Sequence, residues 1–155
     1  MNASWAKWAP LPLRLVLGTG FVFHGFPKLF DSAQHQGFVG MLQGIGVPAA
    51  GLTSWVVGLV EFGGGLFLLA GAFVMIVSVL QIIVMLVAMF TVAWPAGFNF
   101  MNIVGMTDTG PVFGMPGYEV NLLYIGGLLA LFLLGPSHLS ADQVLAGKRG
   151  AAAPV

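Results

Sequence analysis

Apolar residues run along this chain in long blocks, and each break between blocks falls at prolines, glycines or a short polar stretch. The first block, residues 11–29, follows Pro10 and begins around Pro12, and proline suits the first turn of a helix because the missing N–H is unpaired there anyway. Trp5 and Trp8 stand beside it as interfacial anchors. Residues 30–48, FDSAQHQGFVGMLQGIGVP, read as a polar, glycine-rich loop with an amphipathic patch at 38–42 suited to a membrane surface. Residues 49–93 then stay apolar for far longer than the roughly 20 residues one crossing needs, so the chain must turn. The turn belongs at 70–72, Ala-Gly-Ala, which makes 49–70 and 73–94 a tight helical hairpin. Residues 95–118 form a glycine- and proline-rich loop, greasy enough to fold back over the mouth of a bundle, and a fourth block occupies 118–135. In the tail, Ser140-Ala141-Asp142-Gln143 is a capping-box pattern that starts a short helix over 140–147.

Composition turns these blocks into membrane crossings. The chain is 58% hydrophobic and 6% charged, against about 25% charged in soluble domains. Four crossings in one domain of 155 residues give an all-α membrane protein, a four-transmembrane-helix bundle. Lys7 and Arg14 before an apolar run resemble the start of a secretion signal, but His24, Pro27 and Lys28 stand where its small-residue cleavage site belongs. Lys7, Arg14, Lys148 and Arg149 fall on one side of the bundle and Lys28 alone on the other, so both termini are expected in the cytoplasm, in the inner membrane of the cell. Trp94 and Tyr118 bracket the outer interface. Net charge is zero, so no basic surface recruits nucleic acid, and with no cysteine the chain has no disulfide and no thiolate chemistry of its own.

Ionisable groups at membrane depth usually face the bundle interior. Arg14, Gly18, Phe21, Gly25 and Lys28 recur at helical spacing and form one inward stripe, with His24 about 40° from Lys28. At ~1.5 Å per residue, Glu61 falls near the midplane, and Glu119 lies level with His24 and Lys28 in the outer half. Two readings stay open. In one, Arg14–Glu61 and Lys28–Glu119 are structural ion pairs and His24 bonds a backbone carbonyl. In the other, His24 and Glu61 exchange protons as a catalytic pair in a pocket beneath the 95–118 loop, because an imidazole beside a carboxylate titrates at physiological pH. Lys28, Glu119, Tyr118 and Trp94 then bind the substrate. Bis-histidine haem is disfavoured by the single histidine within a crossing, the methionines read as packing rather than copper ligands, and no metal is expected.

The series Arg14, Gly18, Phe21 to Gly25, Lys28 to Phe30, then Gly46 to Pro48, Val60 to Gly64, Gly117 to Glu119 and Gly135 to Asp142 resembles the DoxX family of small four-helix membrane proteins, over residues 11–147. The resemblance implies a four-helix bundle in the bacterial cytoplasmic membrane. Family members include a subunit of a thiosulfate:quinone oxidoreductase, a component of a membrane redox complex, and assembly or cargo factors without redox chemistry. Two departures stand out: many members end the third helix on histidine where this chain has Ala93-Trp94-Pro95, and the usual Ser-Leu-Asp of the tail is Ser140-Ala141-Asp142.

The leading expectation is therefore a membrane subunit of a redox system, passing electrons from a small reductant or a soluble partner enzyme to quinone. A non-catalytic scaffold or assembly factor that docks a soluble partner is the alternative. Transport of protons or a small molecule is the third, and it needs several copies assembled to make room for a path.

Overall fold

The computed structural model describes residues 7–151 of the chain; Trp5, expected to anchor the first segment, lies outside them. Six α-helices and one β-hairpin follow in order: α1 (Pro10–Phe30), α2 (Ser32–Gly44), α3 (Ala50–Ala70), α4 (Val74–Ala88), β1 (Ile103–Thr107), β2 (Gly110–Phe113), α5 (Glu119–Leu134) and α6 (Ala141–Ala151). α4 runs on through one π turn, Met89–Ala93, and one 3-10 turn, Trp94–Ala96. Two helices, Ala50–Ala70 and Val74–Ala96, are both long and apolar enough to cross a membrane. α1 has 21 residues but carries Arg14, His24 and Lys28, and α5 is apolar but has only 16.

α1 and α3 form the tightest seam, and glycine makes it possible. A Cβ on Gly65 would sit 2.7 Å from the Gly18 carbonyl, and one on Gly18 2.9 Å from the Gly65 carbonyl, so the two backbones touch. At the end of α3, Gly71 adopts a left-handed φ of 69° and closes the helix, its N–H on the Leu68 carbonyl (3.1 Å) and that of Ala72 on Phe67 (2.9 Å). Around this turn lies the apolar core: Leu17, Phe21, Leu68, Val74, Val77, Leu128 and Leu131, all buried. The outer surface is apolar as well, with Val16, Leu59, Ile76 and Leu133 each more than 60% exposed, which suits lipid rather than water.

Two segments differ from the sequence-based expectation. Residues 32–44 form a helix, not a loop. Asp31 ends α1 in an extended conformation and caps α2, its carboxylate accepting from the N–H groups of Ala33 (2.9 Å) and Gln34 (3.1 Å). His35 and Leu42 are then buried on one face of a helix whose three glycines hid it. Residues 95–118 do not close over the bundle. They extend into the β1–β2 hairpin, paired from Ile103↔Phe113 to Thr107↔Gly110 with a bulge near Val104, and every strand residue except Gly110 is exposed.

Candidate functional site

The inward stripe of α1 carries a cation at each end, and the two meet different surroundings. Arg14 is 1% exposed. Its Nε donates to the Leu68 carbonyl (2.8 Å), Nη2 to Leu69 (2.9 Å), and Nη1 to the Leu139 carbonyl (2.7 Å) and to the Ser137 hydroxyl. Leu68 and Leu69 belong to the last turn of α3, where carbonyls run out of i+4 partners, that of Leu68 keeping only the Gly71 N–H of the turn, and the helix dipole is negative. The guanidinium thus ties α1 to the α3 terminus and to the tail in one contact. Asp142 completes the tie from the other direction: its carboxylate accepts from the N–H groups of Phe73 (2.8 Å) and Val74 (3.1 Å), and its own N–H donates to the Gly71 carbonyl (3.0 Å). Ser140 caps α6 by accepting from Gln143 (3.2 Å). The tail motif is a latch across the α3–α4 turn.

At the other end Lys28, in the last turn of α1, pairs with Glu61 of α3; 16% of one side chain and 6% of the other is exposed. Lys28 also donates to the His24 carbonyl (3.1 Å), and its nitrogen stands 4.9 Å from the centre of the Phe38 ring. Among the described residues one N–H of the ammonium finds no hydrogen-bond acceptor, and Glu61 Oε1 accepts nothing. Below the pair, Gln81 of α4 donates to the carbonyls of Val60 (2.9 Å) and Glu61 (3.3 Å), while its Oε1 is buried without a partner. From α2, His35 Nδ1 lies 2.7 Å from the Lys28 carbonyl, a geometry in which the Nδ1–H tautomer donates, and its ring packs 4.5 Å from that of Trp55.

Lys28 and Glu61 line a cavity of about 370 Å³ between α2, α3 and α4. Phe38, Met41 and Leu42 supply the α2 wall, Val57 the α3 wall, and Val84 and Val87 the α4 wall. Among the described residues, Lys28 and Glu61 are its only titratable lining groups. Thr91, on the π turn, also faces it, with its hydroxyl already committed to the Val87 carbonyl (2.7 Å). Such single π turns inside helices are frequent at functional positions.

The side chains singled out from sequence are thus divided among three places. Glu61 joins Lys28, not Arg14, whose hydrogen-bond acceptors are three carbonyls and the Ser137 hydroxyl. Glu119 does not meet Lys28; it opens α5 and accepts from the Phe100 N–H (3.0 Å). Trp94 and Tyr118 stack 4.9 Å apart at the root of the hairpin and do not line the cavity. His24 is exposed, its ring edge-on to Phe23 at 5.8 Å, and only its backbone carbonyl reaches the pair. His35 and Phe38, on the segment read as a loop, are the neighbours that sequence reasoning missed; the amphipathic patch at 38–42 was the signal for Phe38, and His35 had none. No residue of 95–118 lines the cavity, which lies beneath α2 instead.

A family model described as DoxX matches residues 9–94, just over half of the chain, and it takes in α1 to α4 with both ends of the stripe. No curated protein matches the chain. No solved structure matches it.

Proposed function

The chain belongs to the DoxX family of membrane proteins, and from that premise we propose that it crosses the inner membrane four times, with both termini in the cytoplasm, and works as a quinone-linked redox subunit whose site is the Lys28–Glu61 cavity. The observation that carries this reading is that a lysine with one open N–H and a carboxylate with one open oxygen line a cavity whose other walls are apolar side chains and two threonines, Thr53 and Thr91, with hydroxyls already committed to backbone carbonyls. Its volume, about 370 Å³, lies at the small end of the 300–1,000 Å³ typical of ligand pockets and suits one ring with the start of a tail. Lys28 donates to a ring oxygen, and Glu61 accepts from it once it carries a proton. A bound quinone supplies the electron-accepting chemistry, two electrons and two protons for each molecule reduced. The electrons come from a partner or a small reductant, since no flavin or dinucleotide motif is present in the sequence. Lys28 and Glu61 pass the protons, because no other titratable group among the described residues lines the cavity. His24, on the outer surface of α1, takes no part in this version of the mechanism.

The scaffold reading has its own support in the Arg14 latch, where buried charge serves structure alone. Quinone titration of purified protein in detergent separates the two. Removing one partner of a buried pair costs about 3–5 kcal/mol, whereas replacing both with apolar residues is often neutral. The double variant Lys28→Met/Glu61→Met should therefore keep its melting temperature near that of the unsubstituted protein and lose quinone binding. Unchanged quinone affinity in that variant would end the redox reading in favour of the scaffold.

A further inference from the structure

The β1–β2 hairpin has no partner within the described residues, yet Ile103, Val104, Met106, Val112 and Phe113 are all between 42% and 74% exposed, on both of its faces. A hairpin bathed in water alternates polar and apolar positions, and an isolated two-stranded one is marginally stable. Something apolar covers this one. Its place in the fold indicates what. α5 rises about 24 Å over 16 residues, short of the ~30 Å hydrocarbon thickness. In its first turn, Asn121 donates to the Met85 carbonyl (3.3 Å), beside the middle of the 23-residue helix Val74–Ala96. The first turn of α5 is therefore held within the span of that helix, while the hairpin leaves the bundle at its end, where Tyr118 pairs with Gly97 just past Ala96.

Its roots are built for such a depth. Tyr118 donates to the Gly97 carbonyl (2.9 Å), Glu119 to Phe98 (3.0 Å), Gly117 to Asn99 (3.1 Å) and Gly114 to Asn102 (2.8 Å), so the backbone is paired on the way out. The root carboxylate, Glu119, is bonded to the Phe100 N–H. The stacked Trp94 and Tyr118 flank the roots, and such rings favour the headgroup level. Between residues 97 and 118 the only charge is Asp108, in the turn at the tip, and there is no basic residue.

We infer that the hairpin is a lipid-binding element lying in the headgroup layer of the membrane, held there by apolar area and not by attraction to anionic lipid. The outer edge of each strand keeps unpaired N–H and C=O groups, which excludes the hydrocarbon core and fits the hydrated interface. The inference rests on the four-crossing topology, and its test separates the two.

The chain lacks cysteine, so Met106→Cys, Val112→Cys and Leu59→Cys each accept a single nitroxide label in the otherwise native protein, reconstituted in phosphatidylcholine nanodiscs. Met106 and Val112 lie on opposite faces of the hairpin and Leu59 is an exposed position in the middle of α3. At Met106 and Val112, collisions with a water-soluble nickel chelate should fall severalfold below those of the free label while collisions with oxygen persist. Nickel access at either position equal to that of the free label overturns the inference. So does protection from both reagents with spin–spin broadening that grows with the labelled fraction, because a second copy then covers the hairpin. The Leu59 label should report hydrocarbon in every case; if it is open to nickel, the crossing topology fails and the hairpin inference falls with it.

Discussion

At one end of the bundle Arg14 gives its N–H groups to four oxygens and stands beside a packed core; at the other Lys28 keeps a donor open, next to a carboxylate with a free oxygen, on a cavity. Both cations sit on the same stripe of α1, two turns either side of Phe21. What separates them is the satisfaction of their surroundings. A buried polar group whose bonds are all made rigidifies a fold, while one with bonds unmade costs free energy unless a ligand completes it. With four of its five N–H groups committed, the Arg14 end has little capacity left for chemistry. The Lys28 end retains some.

Substitution at the closed end should have the largest effect. Arg14→Met removes hydrogen bonds to a charged donor and leaves carbonyls of Leu68, Leu69 and Leu139 buried without it, a loss on the order of 4–5 kcal/mol. Denaturation in detergent should show most of the protein unfolded where the unsubstituted chain is folded. Arg14→Lys should recover little, since an ammonium cannot span acceptors on α3 and on the tail together. At the open end, Glu61→Met alone should cost about 3–5 kcal/mol by stranding the Lys28 ammonium, and adding Lys28→Met should restore most of it. If the double variant is as unstable as the single, the pair is an integral part of the packing and the contrast between the ends disappears. Asp142→Ala comes next, about 1–2 kcal/mol, because two N–H groups at the start of α4 lose their cap. Thermal melts of the two tail variants should rank Arg14→Met well below Asp142→Ala.

Much of this arrangement was legible in the sequence, and the reason is the membrane. Arg14, Gly18, Phe21 and Gly25 share a face by the 3.6-residue period, charge drives that face inward, and all four are buried. Which partner each charge takes was not legible. A carboxylate announces itself in a sequence, whereas carbonyls at the end of α3 and in the tail do not, so Arg14 was matched to Glu61 on paper when its acceptors are three backbone carbonyls and the Ser137 hydroxyl. Angular position was also too coarse for His24: about 40° from Lys28 on the wheel is enough to carry the ring out of the interior. α2 was hidden by Gly37, Gly40 and Gly44, which are poor helix formers, and its existence depends on the Asp31 cap and on burial of His35 and Leu42. The hairpin, with exposed apolar residues on both faces, follows no alternation that could have predicted it.

Gln81 sharpens the comparison with the smallest expected effect. It lies beneath the Lys28–Glu61 pair, fully buried, with its amide nitrogen on the carbonyls of Val60 and Glu61 and its Oε1 unpartnered. Val60 and Glu61 are in the middle of α3, where helical hydrogen bonds already satisfy their carbonyls, so the amide supplies second bonds to groups that do not need them. Against that modest gain stands the desolvation of an orphan acceptor, about 1–3 kcal/mol. Gln81→Leu, of similar volume, removes both terms at once. The melting temperature should stay level or rise, with any change in stability within ~1 kcal/mol. A fall several times larger would mean that Oε1 is not an orphan in the membrane, and that a buried water or part of a ligand bonds to it. In that case the open end of the bundle extends deeper than the cavity, to the level of α4 below the ion pair.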